Sequence, residues 1–277
     1  MNRITLTVII LLILGGLGYF CYVNFWKTPE FADENRPLPL GMEAVTAGSA
    51  KAEEEELLPT DISTIIDPSK SVPVETIPES LTVLVNRAFL LPESYEPKDL
   101  VKPDIEFDTN VVSDKNYLRK VAATALEKMV KEAKKKKLKI IGVSGYRSYA
   151  RQKQVYDQSA AINGKSHADK YCAVPGSSEH QTGLSIDVSS PDVKNALQPS
   201  FASTKESKWI EKNAHRFGYI VRYPKKKQKI TGYNYEPWHL RYVGPKVAAY
   251  LQKNELTLEE YYNVSMNKEN KEWRNDL

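Results

Sequence analysis

Residues 4–26 contain no charged side chain, and Ile, Leu, Val and Phe dominate the run. At a rise of about 1.5 Å per residue it is long enough to cross a hydrocarbon core about 30 Å thick. It closes on Tyr19, Phe20, Tyr22, Phe25 and Trp26. A signal peptide ends instead in small residues, so the pattern predicts one uncleaved transmembrane helix with an interfacial aromatic belt, over residues 1–27. Arg3 and Lys27 flank the run and give almost no charge bias for its orientation. Residues 28–80 are rich in Pro, Glu, Ser, Thr and Ala and show little hydrophobic period, which predicts a disordered extracytoplasmic stalk.

From residue 81 the pattern becomes that of a folded body, expected to run to 265 and to leave a tail over 266–277. Leu118, Val121, Ala122, Ala125, Leu126, Met129 and Val130 recur at helical spacing, predicting a helix from Ser113 that ends in the lysine run 134–137. Residues 138–143 read as a short apolar strand, and 149–161 as a second helix stopped by Gly164. In residues 184–188 the alternation puts Ser185 and Asp187 on one face, opposite Leu184, Ile186 and Val188. Ser203 and Glu206 form a capping-box pattern ahead of a helix closed by Gly218. Residues 219–223 and 238–243 read as strands. Two helices follow, over 246–253 and from Thr257, where Glu260 completes another capping box. The fold class expected is α+β, with a small, mainly antiparallel sheet flanked by helices.

Composition adds little beyond exclusions. Charged residues make up 27% of the 277, and the formal charge of +4 is too small and too dispersed to argue for nucleic acid. Of the two cysteines, Cys21 lies in the apolar run, so the body has no disulfide framework and Cys172 is expected to be inert.

The candidate chemistry lies in two strings. His180 is followed seven positions on by Asp187, and His239 comes three positions after Glu236. Catalytic zinc takes three nitrogen or oxygen ligands and keeps one position open. His180, Asp187 and His239 would supply that set and leave Glu236 free as a base. Gly183 would let the chain turn between His180 and Asp187, and Pro237 is expected to hold Glu236 on a turn entering the strand. Taken singly, each residue has a plainer reading: a surface hydrogen bond for His180, a strand-end polar group for Asp187, a solvated charge for Glu236. His167 and His215 fit no motif.

The strings SGYRS at 144–148, SSEHQTGLSID at 177–187 and EPWHLRYVG at 236–244 resemble the VanY-type D-alanyl-D-alanine carboxypeptidases and the related L,D-carboxypeptidases of the LAS-type zinc fold. The family patterns S-x-H-x-x-G-x-A-x-D and E-x-W-H are both present in order, with Ser185 in place of the usual Ala. The resemblance covers residues 81–262 and implies a LAS/Hedgehog-like peptidase fold. It also implies a zinc ion on His180, Asp187 and His239, with Glu236 as general base, Arg147 engaging the substrate, and Gln152 and Ser178 lining the pocket. Arg222 is left as either a pocket wall or a charge partner. The function implied is removal of the C-terminal D-alanine from peptidoglycan stem peptides, with the D,D reaction favoured over the L,D reaction on tetrapeptide stems. A non-catalytic zinc-binding module that recognises the wall is the alternative from another class. The protein is expected to be a monomer on the cell membrane, with its catalytic domain outside and no nucleic acid as partner.

Overall fold

The computed structural model describes residues 72–109 and 111–264. The apolar run at 4–26 and the tail at 266–277 lie outside them. No helix among the described residues is long and apolar enough to cross a membrane.

Two strands, β1 (Leu100–Val101) and β2 (Leu118–Arg119), form a small antiparallel ribbon. The chain continues through α1 (Lys120–Lys135), β3 (Ile141–Ser144), α2 (Tyr149–Asn163), α3 (Lys165–Tyr171), β4 (Ser185–Ser189) and α4 (Lys205–Asn213). It then forms β5 (Tyr219–Tyr223), α5 (Gln228–Thr231), β6 (Glu236–Tyr242), α6 (Pro245–Asn254) and α7 (Leu258–Tyr261). The main sheet has the order β3-β4-β6-β5, and every neighbouring pair is antiparallel. This is the α+β architecture read from the periodicity.

One face of the sheet is apolar. Ile186 and Val188 of β4, Leu240 of β6 and Tyr219 of β5 pack into a single core with Ala122, Ala123, Leu126, Met129 and Ala133 of α1. Tyr219 buries its ring there and donates its hydroxyl to the carbonyl of Ala122 at 2.7 Å, so the core leaves no cost at that polar tip. The alternate positions, Ser185 and Asp187 on β4 and His239 and Arg241 on β6, belong to the opposite face by strand periodicity. Register pairs Asp187 with His239 and Ser185 with Arg241. A slip of one residue would send the polar set into the core beneath α1, so burial of Ile186 and Leu240 fixes the register.

Several local expectations change. Leu118 belongs to β2, and the long helix begins only at Lys120, because Leu118 pairs with Val101. The cap of α4 is Thr204, whose hydroxyl accepts from the amide of Ser207, rather than Ser203. Glu206 instead accepts from the amide of Lys139 at 3.2 Å, tying α4 to the segment before β3. The capping box of Thr257 and Glu260 forms as expected. The stalk boundary placed at residue 80 falls within packed chain: Val72 and Val74 lie against a second core of Leu84, Ile220, Val243, Ala248, Leu251, Leu258 and Tyr262.

Candidate metal centre

His180 sits in a short 3-10 turn, Glu179–Thr182, whose C-cap is Gly183 at φ 66°. That left-handed backbone favours glycine, and a Cβ there would also meet Arg119 Cγ and Leu100 Cδ2, both at 3.0 Å. The turn reverses the chain so that β4 returns Asp187 toward His180. His239 comes to the same point from β6 as the cross-strand partner of Asp187.

Among the described residues, His180, Asp187 and His239 form a buried group with one donor atom from each within 4.8 Å of the others. His180 Nε2 lies 3.3 Å from one oxygen of Asp187, and His239 Nδ1 lies 2.8 Å from the other. The remaining nitrogen of His180, Nδ1, is 2.7 Å from the carbonyl oxygen of Gly145. A carbonyl only accepts, so Nδ1 carries the proton and the Nε2 lone pair points into the group. Two imidazoles and a carboxylate, with one imidazole already held in the ligating tautomer, fit a zinc ion with an open position.

The charges are strongly displaced. Burial alone would raise the Asp187 carboxyl, but its contacts with His180 and His239 outweigh that and hold it far below the usual range. Burial pushes His180 down, toward the neutral form that a metal requires. For His239 burial works against the cation, yet hydrogen bonds to Asp187 and Glu179 prevail and carry it to about 9. In the metal-free protein, therefore, a proton on His239 balances the surrounding carboxylates.

Glu236 begins β6, opposite Tyr223 of β5. Sequence reasoning put it on a turn because of Pro237. The structure instead keeps it in the strand, with a break in register between Val221 and Tyr223 that absorbs the proline. Burial raises its carboxyl to about 7, an effect tempered by attraction to His239 and reinforced by repulsion from Asp187.

Arg147 follows β3 and is buried. Its Nη1 donates to Gln152 Oε1 at 2.9 Å and its Nη2 to Ser144 Oγ at 3.3 Å. Gln152 lies on the first turn of α2, capped by Ser148, and its Nε2 donates to the carbonyl of Ala173 at 2.7 Å. The Arg147 amide also donates to the carbonyl of His180 at 3.2 Å, so the SGYRS segment and the histidine turn are stitched together from both sides. Ser178, also buried, is the N-cap of that turn. His167 and His215 stay outside the cluster.

Sequence reasoning missed Glu179. It is buried beside the candidate ligands: Oε1 accepts from Arg222 Nε and from Arg241 Nη1, each at 2.7 Å, while Oε2 lies 3.4 Å from His239 Nε2. Arg222 is thereby a charge partner, and it also grips Glu259 of α7 with Nη1 and Nη2 at 2.7 and 2.6 Å. Arg222, Arg241 and Glu259 are 0% exposed, so the two guanidiniums and two carboxylates must neutralise one another. The legible signal was a charge inside each of two otherwise apolar and aromatic strands, Tyr-Ile-Val-Arg-Tyr at 219–223 and His-Leu-Arg-Tyr at 239–242.

Comparison with known proteins agrees with this geometry. The family model described as VanY, D-alanyl-D-alanine carboxypeptidase, matches residues 115–245. The Bacillus subtilis protein YodJ is 50% identical over 191 residues, which span 68% of this chain and 70% of YodJ. VanXYC of Enterococcus gallinarum, a bifunctional D-Ala-D-Ala dipeptidase and carboxypeptidase, is 34% identical over 65% of this chain and 92% of its own. Among solved structures, the LD-carboxypeptidase LdcB superposes with a TM-score of 0.66 at 50% identity, covering 70% of this chain and 92% of LdcB. A D,D-pentapeptidase VanY from a VanB-type resistance cassette, solved in complex with Zn(II), gives 0.54 at 31% identity over 65% and 97%. The resemblance carried by SGYRS, SSEHQTGLSID and EPWHLRYVG thus holds, and the chain belongs to the VanY family of D-alanyl-D-alanine carboxypeptidases.

Proposed function

We propose that this protein is a zinc carboxypeptidase that removes the C-terminal D-alanine from peptidoglycan stem peptides, with His180, Asp187 and His239 as the metal ligands. The observation that carries the reading is the convergence of those three donors, with the Glu236 carboxyl near enough to feel the charges of His239 and Asp187. When bound, zinc supplies a Lewis acid that acidifies water and polarises a carbonyl. Glu236 takes the proton of the attacking water and passes it to the leaving amine, a task suited to a carboxyl raised toward neutrality by burial. Arg147, a planar fork of fixed charge held by Gln152 and Ser144, grips the terminal carboxylate of the peptide, which limits cleavage to the last bond. Ser178 and Gln152 line the same pocket.

The bond cut is assigned to the L,D class, after the diamino acid of a tetrapeptide stem. What favours it is the 50% identity to LdcB, an LD-carboxypeptidase, against 31% for the D,D-pentapeptidase VanY. The D,D reaction favoured by the sequence motifs is the second reading, supported by the family description and by VanXYC. The apolar run at 4–26 supports a membrane anchor with the catalytic body outside, where such peptides are found.

Incubating the purified protein with defined tetra- and pentapeptide stems, with and without a chelator, tests the reading. Chelator-sensitive release of D-alanine from the tetrapeptide in preference to the pentapeptide is expected. Preference for the pentapeptide would return the D,D reading, and release from neither would end the carboxypeptidase assignment. Recovery of the full-length chain in the soluble fraction of cells would remove the anchor.

A further inference from the structure

The ring of His239 is held on its faces and edges by named neighbours. Tyr223 stacks on it with centroids 5.1 Å apart and planes 24° apart, and His180 meets it edge-on at 4.9 Å and 87°. These contacts fix the plane of the imidazole but not which nitrogen carries its proton. In that plane Nδ1 faces Asp187 at 2.8 Å and Nε2 faces Glu179 Oε2 at 3.4 Å. Both facing groups are carboxylates, which only accept, so without a metal the ring donates from both nitrogens. Once a metal takes the place of the Nδ1 proton, Glu179 is the acceptor that keeps the remaining proton on Nε2.

Glu179 is itself immobilised. Its Oε1 is taken by Arg222 and Arg241. Arg222 is anchored on Glu259, and Arg241 on the carbonyls of Leu81 and Val83 at 3.1 and 2.9 Å. Only Oε2 is left for the histidine, and it is shared: Ser185 Oγ donates to that same oxygen at 3.2 Å. Ser185 is the position where this chain departs from the alanine usual in the family pattern.

We propose that Glu179 is the positioning residue that sets the ligating tautomer of His239, and that the Ser185 hydroxyl weakens this grip by competing for the same carboxylate oxygen, so lowering the affinity for zinc. The inference rests on the metal-centre reading above. A hydroxyl donated to Oε2 draws off part of the charge that would otherwise strengthen the His239 hydrogen bond. The histidine is then a poorer donor to the metal. A chain with alanine at 185 leaves Oε2 to the histidine alone.

The test compares the wild-type protein with Ser185→Ala and Glu179→Gln. Zinc dissociation constants are measured against a chelating dye, cobalt(II) visible absorption reports ligand geometry, and the melting temperature of the metal-free form controls for folding. Ser185→Ala is expected to tighten zinc by roughly two- to fivefold, the size of one modest hydrogen bond. Glu179→Gln is expected to weaken zinc by about 10- to 100-fold and to alter the cobalt spectrum. Because Glu179→Gln leaves buried guanidinium charge uncompensated and can lose the fold, Ser185→Ala decides the matter. Zinc affinity that is unchanged or weaker in Ser185→Ala overturns the proposal. A wild-type protein that takes up no zinc would remove the metal-centre reading itself.

Discussion

His180 Nδ1 lies 2.7 Å from the carbonyl oxygen of Gly145, and this one hydrogen bond joins the two segments on which the site depends. Gly145 lies between β3 and Arg147, and His180 lies in the turn that leads to β4. The bond orients the imidazole for a metal and places the arginine segment beside it. A Cβ on Gly145 would run into the carbonyl of Tyr117, so the close approach needs glycine there. The proposed metal ligand His180 and the proposed clamp Arg147 are therefore positioned by a common piece of backbone.

Glu236→Gln keeps the shape of the side chain and removes its ability to accept a proton. Turnover of a tetrapeptide stem is expected to fall by about 10²- to 10⁴-fold, the span typical of a lost general base. Zinc content should not change. Steady-state kinetics with metal analysis checks both, and near-normal turnover would take Glu236 out of the mechanism.

Arg147→Ala should discriminate between substrates. Loss of a charge-assisted pair to a terminal carboxylate corresponds to about 10- to 150-fold in kcat/KM on free-acid peptides. Peptides with an amidated C-terminus never engaged that charge and should lose much less. Equal losses on both would argue against a clamp.

The same Glu236 carboxyl carries a stability cost in the metal-free protein. Its value in the unfolded chain is 4.5, and burial raises it to about 7 in the fold. A carboxyl that binds its proton more tightly when folded opposes folding once the unfolded form ionises. The cost therefore begins above 4.5 and is complete above 7. Metal-free Glu236→Gln should then melt about 2–6 °C above wild type near pH ~8 and show no advantage near pH ~4. Thermal unfolding across that range checks the sign, and a variant less stable at the alkaline end would contradict it.

His239 holds a proton in the metal-free protein, with its pKa pushed up to about 9 against the effect of burial by Asp187 and Glu179. A metal must displace that proton to reach the lone pair. Calorimetric titration with zinc near pH ~7, in buffers of different ionisation enthalpy, should report release of about one proton or more. Binding without proton release would mean that His239 is not a ligand.

Much of this was legible before the fold. The alternation Leu-Ser-Ile-Asp-Val over 184–188 foretold which face of β4 would join the apolar core, since a strand writes its two faces into a period of two, although the polar face is buried as well. The spacing of His180, Asp187, Glu236 and His239 left a plainer reading open for each, and it was the family strings that implied a metal site. Long-range polar partners were not legible. Arg222, Arg241 and Glu259 pair with charged groups dozens of residues away, 62 in the case of Arg241 and Glu179, and no local pattern records which buried charge meets which. Pro237 misled for a related reason. Its usual effect is to end a strand, yet a break in register between the pairs Val221–Leu240 and Tyr223–Glu236, with the extra residues on the proline's own strand, accommodates it and leaves Glu236 in the ladder.

The most direct test of the account is an anomalous difference map at the zinc edge, from crystals of the protein grown with the metal. The account predicts one strong peak in contact with His180, Asp187 and His239, with Glu236 beside it and not bound to it. A peak at another group of side chains, or none at this one, would contradict it.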